Sequence, residues 1–370
     1  MQALQNKIPQ ELFSLENQDL IRRIDEARKT LGDKVTILGH HYQQDDVIRF
    51  ADFTGDSYEL SKIAAAQTAE HVIFCGVHFM AESADVLTAA NQKVYLPDLR
   101  AGCTMADMAK DEDVETAWEE LMEILSPDEI CPITYMNSTA FLKAFCADND
   151  GTVCTSSNAE QVIRWGFDRA EKLLFFPDQH LGRNVCFHSL GIPLDKMLLW
   201  NPAEYLGGHS PEAIKEAKVI LWQGHCSVHM GFQKMHVDYW RNKDPEVKVL
   251  VHPECRFDVV SAADMWGSTG MIIKTIKNAP AGSKWAIGTE INLVNRLKED
   301  FPEQFITSLS PYQCLCATMY RIKPQFLLYT LESLIRGEEI NRISVSEKVS
   351  TAAKKALNTM IEITRQQTLH

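Results

Sequence analysis

Short apolar runs alternate with amphipathic stretches along most of the chain. Val35-Thr-Ile-Leu-Gly, Val72-Ile-Phe-Cys-Gly-Val, Leu173-Leu-Phe-Phe and Val247-Lys-Val-Leu-Val are each of strand length. The stretches between them have the amphipathic character of helices with one buried face. Asn17–Leu31 is the first and predicts an N-terminal helix. This rhythm predicts an α/β protein with parallel sheets.

The pattern is spoken three times. Each unit opens on an apolar run that ends in polar side chains: His40-His41-Tyr42, then Tyr135-Met-Asn137, then His252-Pro-Glu254. A turn with small hydroxyl side chains follows, holding Ser57, Ser156 and Thr269. A second apolar run comes next, and each unit closes on cysteine: Cys103, Cys226 and the pair Cys314-Leu-Cys316. Taking His40, Asn137 and His252 as equivalent, sixty-three residues separate His40 from Cys103 and sixty-four separate His252 from Cys316. Asn137 and Cys226 are eighty-nine apart, and the excess falls around Asn184–Lys218. Gly191, Pro193, Pro202, Gly207, Gly208 and Pro211 predict that this insertion consists of loops with a short helix. The expected organisation is a helical segment over 1–32, α/β domains over 33–125, 126–240 and 241–330, and a helical tail over 331–370. In open α/β sheets ligands bind beyond the carboxyl ends of the strands. A pseudo-threefold arrangement of such units would bring three distant cysteines to one centre.

Composition narrows the classes. No apolar run approaches the ~18 residues of a membrane span, and the first thirty residues lack the layout of a signal peptide. The expected location is the cytosol. Lys and Arg number 37 against 50 Asp and Glu, a net charge of −13, which disfavours a nucleic-acid or anionic-membrane surface. Anionic substrates would need a local cluster of donors working against that field. Ten cysteines in 370 residues are too sparse for a secreted disulfide scaffold, and no C-x-x-C is present. Cys75, Cys146 and Cys154 border apolar runs and read as core residues.

Thiolates suit zinc and iron–sulfur centres. Three of them leave one metal position open, where an iron can act as a Lewis acid on a substrate oxygen. His40, Tyr42, His252 and Glu254 supply an acid/base set, and Tyr135 and Asn137 supply contacts to a carbonyl or alkoxide. Ser57, Ser156 and Thr269 fall at predicted helix starts, where anions bind; helix capping is the competing reading of each. Spacing does not choose between Cys314 and Cys316.

His40-His-Tyr42, Gly55-Asp-Ser57, Phe79-Met-Ala-Glu82, Tyr135-Met-Asn137-Ser-Thr139, Thr155-Ser156-Ser-Asn-Ala159, Pro177-Asp178, Gly224-His-Cys226-Ser-Val-His229, His252-Pro-Glu254-Cys and Ser268-Thr269-Gly270 together resemble the quinolinate synthase A family. The resemblance runs in order from about residue 35 to 320. It implies three similar three-layer α/β/α domains with short parallel sheets around a pseudo-threefold axis. It also implies an oxygen-sensitive 4Fe–4S cluster with three cysteine ligands and one open iron. The implied reaction condenses iminoaspartate with dihydroxyacetone phosphate to quinolinate, with loss of phosphate and water, in NAD biosynthesis. That chemistry implies a functional link to an aspartate-oxidising enzyme. Cys103, Cys226 and Cys316 become the cluster ligands, because Cys316-Ala-Thr-Met319 matches the family's third ligand site. His40, Tyr42, His252 and Glu254 become catalytic, and Ser57, Tyr135, Asn137, Ser156 and Thr269 bind substrate. The competing readings are another iron–sulfur hydro-lyase, an iron–sulfur redox sensor and a three-thiolate zinc site.

Overall fold

The computed structural model describes residues 8–312 and 314–367. Residues 1–7 and 368–370, the outer ends of the two expected terminal segments, lie outside the described residues. The chain divides into two compact units. The first runs to Cys103 and includes Cys316–Glu347; the second runs from Thr104 to Leu315 and takes up the chain again from Lys348.

The first unit holds a sheet of β1 (Val35–His40), β2 (Phe53–Gly55), β3 (His71–Cys75) and β4 (Lys93–Tyr95), ordered β2-β1-β3-β4 and parallel throughout. The second unit holds two sheets. One contains β5 (Ile130–Tyr135), β6 (Thr152–Cys154), β7 (Lys172–Phe176), β8 (Met197–Trp200) and β9 (Val219–Trp222), in the order β6-β5-β7-β9-β8. The other contains β10 (Lys248–Val251), β11 (Met265–Trp266), β12 (Lys284–Gly288) and β13 (Phe305–Ser308), in the order β11-β10-β12-β13. A short strand β14 (Arg342–Ile343) adds antiparallel to β4. With β8 and β14 set aside, one parallel order recurs in all three sheets, so the fold is a triplicated α/β/α unit. Every residue of β1, β5 and β7 is buried, as expected for parallel strands covered on both faces by helices.

The insertion differs from expectation: it contributes a strand. Met197-Leu-Leu-Trp200, bounded by Pro193 and Pro202, pairs parallel to β9 along its whole length. The chain then turns back tightly under Trp200. Gly207 sits there at φ 61°, and a Cβ on it would lie 2.5 Å from the indole. Trp200 joins a core with Trp118, Phe176 and Trp222.

Strand pairing also fixes how the three sheets correspond. Leu38 faces Phe53, Ile133 faces Thr152 and Leu250 faces Met265. His40 therefore corresponds to Tyr135 and His252, and Tyr42 to Asn137 and Glu254. The equivalence of Asn137 with His40 and His252 expected from spacing is out of register by two. Its cause is the β5–β6 connection, where paired residues are nineteen apart against fifteen in the other two sheets. Ser57, Ser156 and Thr269 do correspond.

The correspondence reaches hydrogen bonds. In the first unit Asp52 accepts the Ile37 N–H at 2.8 Å and returns its own N–H to Ile37 O at 2.8 Å. In the third sheet Asp264 does the same with Val249, at 2.7 and 3.0 Å. The matching position in the second sheet is Pro132, which has no N–H to satisfy. Gly151 replaces the aspartate there and lies so close that a Cβ would sit 1.9 Å from Pro132 O.

The helix Asn17–Leu31 packs on Pro324–Ile335, with the Arg23 guanidinium forked onto Glu332 at 2.7–3.0 Å. The helix Glu347–Gln367 is tied to the second sheet: Thr152 Oγ1 donates to Ala356 O at 2.8 Å. Among the described residues no helix is long and apolar enough to cross a membrane. Gly151→Ala should lower stability by about 1–3 kcal/mol or more through overpacking, read as a fall in the thermal unfolding midpoint. An unchanged midpoint would show that the backbone at Pro132 yields freely.

Candidate functional site

In the first unit His40 is buried at the end of β1. Its Nδ1 accepts the Tyr42 N–H at 3.1 Å, so the ring carries its proton on Nε2. The Tyr42 ring stands edge-on to it, 4.8 Å between centroids. Ser57 opens the helix Ser57–Ala66, but the cap is Asp56, which accepts the Glu59 N–H at 2.9 Å.

The second unit repeats both devices. His252 follows β10, and its Nδ1 accepts the Glu254 N–H at 3.3 Å, again leaving the proton on Nε2. Burial above all pulls His252 down to about 3, so it is neutral near pH 7. Thr269 opens the helix Thr269–Asn278, while Ser268 caps it by accepting the Met271 N–H at 3.2 Å. At Ser156 the neighbouring Thr155 and Asn158 make the turn: Asn158 Oδ1 accepts the Thr155 N–H at 2.7 Å. The helix Ala159–Phe167 starts after Asn158. In each unit, then, a neighbour holds the helix start or turn, and the site hydroxyl is not the cap.

Glu254 is the centre of the second unit's polar core. Tyr135 donates its hydroxyl to Oε1 at 2.6 Å, and His229 Nδ1 meets Oε2 at 2.8 Å. The His229 ring stacks on His252 with centroids 4.5 Å apart, and its Nε2 lies 3.4 Å from Thr289 Oγ1. Burial alone would raise the Glu254 carboxyl. The facing imidazoles of His229 and His252 and the bonds from His229 and Tyr135 overcome it and hold the group ionised. Asp178, also buried, goes the other way: burial first, then the Glu254 charge, push it well up. Of these two neighbouring carboxylates, Glu254 carries the charge.

Asn137 follows two residues after Tyr135, at the position of Tyr42 and Glu254. Asp178 and His229 entered the sequence reading only within motifs of the resemblance, and neither they nor Asn184 were assigned a role there. His229 lies three residues beyond Cys226, one turn along the helix Ser227–Met230. Asn184 donates Nδ2 to both Pro253 O and Cys255 O at 2.8 Å, pinning the peptides that flank Glu254. The i, i+3 spacing of Cys226 and His229 was the one available signal.

Cys226, His229 and Glu254 form a group of potential metal donors, their ligating atoms within 4.8 Å of one another. The ten cysteines divide by burial. Cys103, Cys226 and Cys316 are half-exposed, and the other seven are buried. Burial pushes the Cys75, Cys131 and Cys186 thiols up to about 12, and Cys146, Cys154 and Cys255 well above the ordinary value. Cys314 is buried and raised for the same reason, with its thiol 3.8 Å from Tyr312 O. Cys316 is partly open, its sulfur 3.4 Å from Thr318 Oγ1.

A family model described as "Quinolinate synthetase A protein" matches residues 22–362. The chain belongs to this family. The chain is 55% identical to the quinolinate synthase of Herpetosiphon aurantiacus, over 94% of this chain and 93% of that protein. It is 54% identical to the quinolinate synthase of Acidobacterium capsulatum, over 95% of each, and 49% identical to that of Bacillus anthracis, over 98% of each.

The His229–Glu254 contact predicts strong coupling. Either His229→Gln or Glu254→Gln alone should destabilise the protein by about 3–5 kcal/mol, because each strands a buried partner. The double variant should lose less than the sum, with a coupling of at least ~1 kcal/mol in a double-mutant cycle of unfolding free energies. Additive losses would show that the two side chains do not share one network.

Proposed function

We propose that the chain works as a quinolinate synthase, condensing iminoaspartate with dihydroxyacetone phosphate to quinolinate and releasing phosphate and water, a step of NAD biosynthesis. The observation that carries this reading is the buried Tyr135–Glu254–His229 relay beside the half-exposed Cys226, in a chain of this family. A reducing cytosol, where such thiols stay reduced, suits this set.

A 4Fe–4S cluster needs accessible sulfurs that ionise, and Cys103, Cys226 and Cys316 fit this by exposure, whereas the seven buried thiols do not. Those three residues would hold it. When bound, it would supply a Lewis-acidic iron with one open coordination position.

The remaining chemistry belongs to side chains. Ionised Glu254 accepts the Tyr135 hydroxyl, so a proton can pass between a phenol and a carboxylate already 2.6 Å apart. His229 holds the opposite carboxylate oxygen and fixes its direction. His40 and His252 each offer an Nε2–H, a neutral donor for a carbonyl or alkoxide oxygen during imine formation and dehydration. Tyr42 packs against His40 and serves the isomerisation of the triose with it. Ser57, Ser156 and Thr269, beside residues that already hold the helix starts or turns, take substrate carboxylates or phosphate together with Asn137. Tyr135 binds substrate and belongs to the acid/base relay as well.

The direct test is an anaerobic assay for quinolinate from aspartate oxidised in situ plus dihydroxyacetone phosphate; no product would end the reading. Anaerobically purified Cys316→Ala should lose the iron–sulfur absorption and all activity. Cys314→Ala should keep the absorption and most of its activity. The reverse pattern would move the ligand to Cys314. Tyr135→Phe should keep the cluster spectrum and lower kcat by about 10²–10⁴, the usual weight of a positioned proton-transfer group. A kcat near that of the unaltered enzyme would remove Tyr135 from the relay.

A further inference from the structure

The third sheet has an open edge that the other two lack. In the first sheet β14 lies on β4, and in the second β8 lies on β9. The corresponding strand of the third sheet, β13, pairs with β12 alone. Phe305 and Leu309 send their N–H groups to Ser283 O and Ile287 O, both at 2.9 Å. Peptide direction alternates along a strand, so Thr307 also faces β12, while Ile306 and Ser308 turn their N–H and C=O groups outward. A row of such groups is a template for another strand.

A groove of about 620 Å³ runs along this edge, between the helices Lys234–Lys243 and Ile291–Asp300. No carboxylate lines it. Met235, Tyr239 and Tyr312 stand in it 64, 51 and 75% exposed, and Phe305, 47% exposed, packs edge-on to Trp240 beside it. Large apolar side chains gathered in this way on a surface mark a contact site. The two ends of the groove differ. Asp244, next to Lys243, takes Lys284 at the start of β12 at 2.9 Å, which puts Lys243 at the Phe305 end. The Ile291 N–H donates to Cys314 O at 3.2 Å, so the second helix begins at the opposite end and Lys298 lies two turns along it, towards Phe305. Both lysines thus lie at one end, with Met235, Ile291 and Tyr312 at the other.

We propose that this edge is the interface with a second copy of the chain, β13 pairing antiparallel with its own copy about a twofold axis at Thr307. Ile306 of one copy then exchanges both hydrogen bonds with Ser308 of the other, and the reverse, because these are the residues that face outward. The antiparallel arrangement sets the lysine end of each copy on the aromatic end of the other, where an ammonium is held by a ring face. Lys243 already uses such faces within its own chain, 5.1 and 4.9 Å from the Tyr239 and Trp240 centroids. A parallel partner would set lysine on lysine. Two chains of net charge −13 repel at most approaches, and a face with two cations and no carboxylate is one where they can meet. The third sheet gains from its copy the fifth strand that the other two draw from their own chain.

Sedimentation of the anaerobically purified chain should show a dimer at micromolar concentration. Tyr239→Glu, at an exposed position midway along its helix, sets like charges near the axis and should raise the dimer dissociation constant by about 100-fold or more. Its circular dichroism should stay that of the unaltered chain. A second variant reads the register directly. The two Thr307 residues form the non-hydrogen-bonded pair on the axis, with Cα atoms ~4.5 Å apart, within the ~4.4–6.8 Å that a disulfide spans. Thr307→Cys treated with diamide should therefore give a covalent dimer, and Phe305→Cys, off the axis, should give no more than the unaltered chain. A chain that sediments as a monomer from nanomolar to high micromolar concentration would overturn the proposal and leave the edge to another occupant. A dimer indifferent to Tyr239→Glu, or one that cross-links as readily at Phe305→Cys as at Thr307→Cys, would overturn it too.

Discussion

An ionised carboxylate can be buried only if its oxygens are hydrogen-bonded and its charge is answered. Glu254 imposes that requirement on the second unit, and much of the local architecture follows from it. Tyr135 comes from the end of β5 to occupy Oε1, and His229 comes from the turn after Cys226 to occupy Oε2. Thr289 stands behind His229, and Asn184 holds the peptides on both sides of Glu254. The charge also bears on its neighbour: burial first, and then the Glu254 charge, push the Asp178 carboxyl well up. Two sheets are thereby locked at one point by groups that would each be expensive to leave alone.

The period of apolar runs made the strands, their parallel pairing and the threefold recurrence legible, because a buried parallel strand has little freedom in composition. The ends of β1, β5 and β10 were visible for the same reason, and with them His40, Tyr135 and His252. Register in the second sheet was not. Its β5–β6 connection is four residues longer, and counting from Asn137 hid that. Strand β8 was masked by the prolines and glycines that flank Met197–Trp200. His229 and Asn184 act across long sequence separations, on a turn whose position only the folded chain defines.

The third cysteine shows where counting stops and burial takes over. Tyr95, Ile220 and Thr307 occupy matching places on the fourth strands, paired with Ile73, Leu174 and Ala286. Cys103 lies eight residues beyond Tyr95, while Cys314 and Cys316 lie seven and nine beyond Thr307. No spacing rule separates seven from nine. The two differ in exposure, which supports the Cys316 reading proposed above: the Cys314 thiol is enclosed and pushed up by burial, while Cys316 is half-open.

The unit with no aspartate beneath its strand shows what the repeat conserves. Asp52 and Asp264 satisfy a strand N–H; the second sheet reaches the same end by having Pro132, with no N–H, and a glycine pressed against it. The backbone problem is constant and the side-chain solution varies. The same holds three residues on, where chemistry replaces packing. His40, Tyr135 and His252 occupy one position at three strand ends. In both histidines a backbone N–H two residues later fills Nδ1, so the proton is on Nε2; at the end of β5 the group is a phenol. The two histidine positions thus present a neutral donor, while the Tyr135 hydroxyl gives its one proton to Glu254. Neutral donors can hold oxygen anions without adding further buried charge beside Glu254, whose own charge already consumes Tyr135 and His229. Two residues further on, Tyr42, Asn137 and Glu254 share one place but not one role: only the position after β10, where His229 and Tyr135 stand ready to answer it, carries a charge.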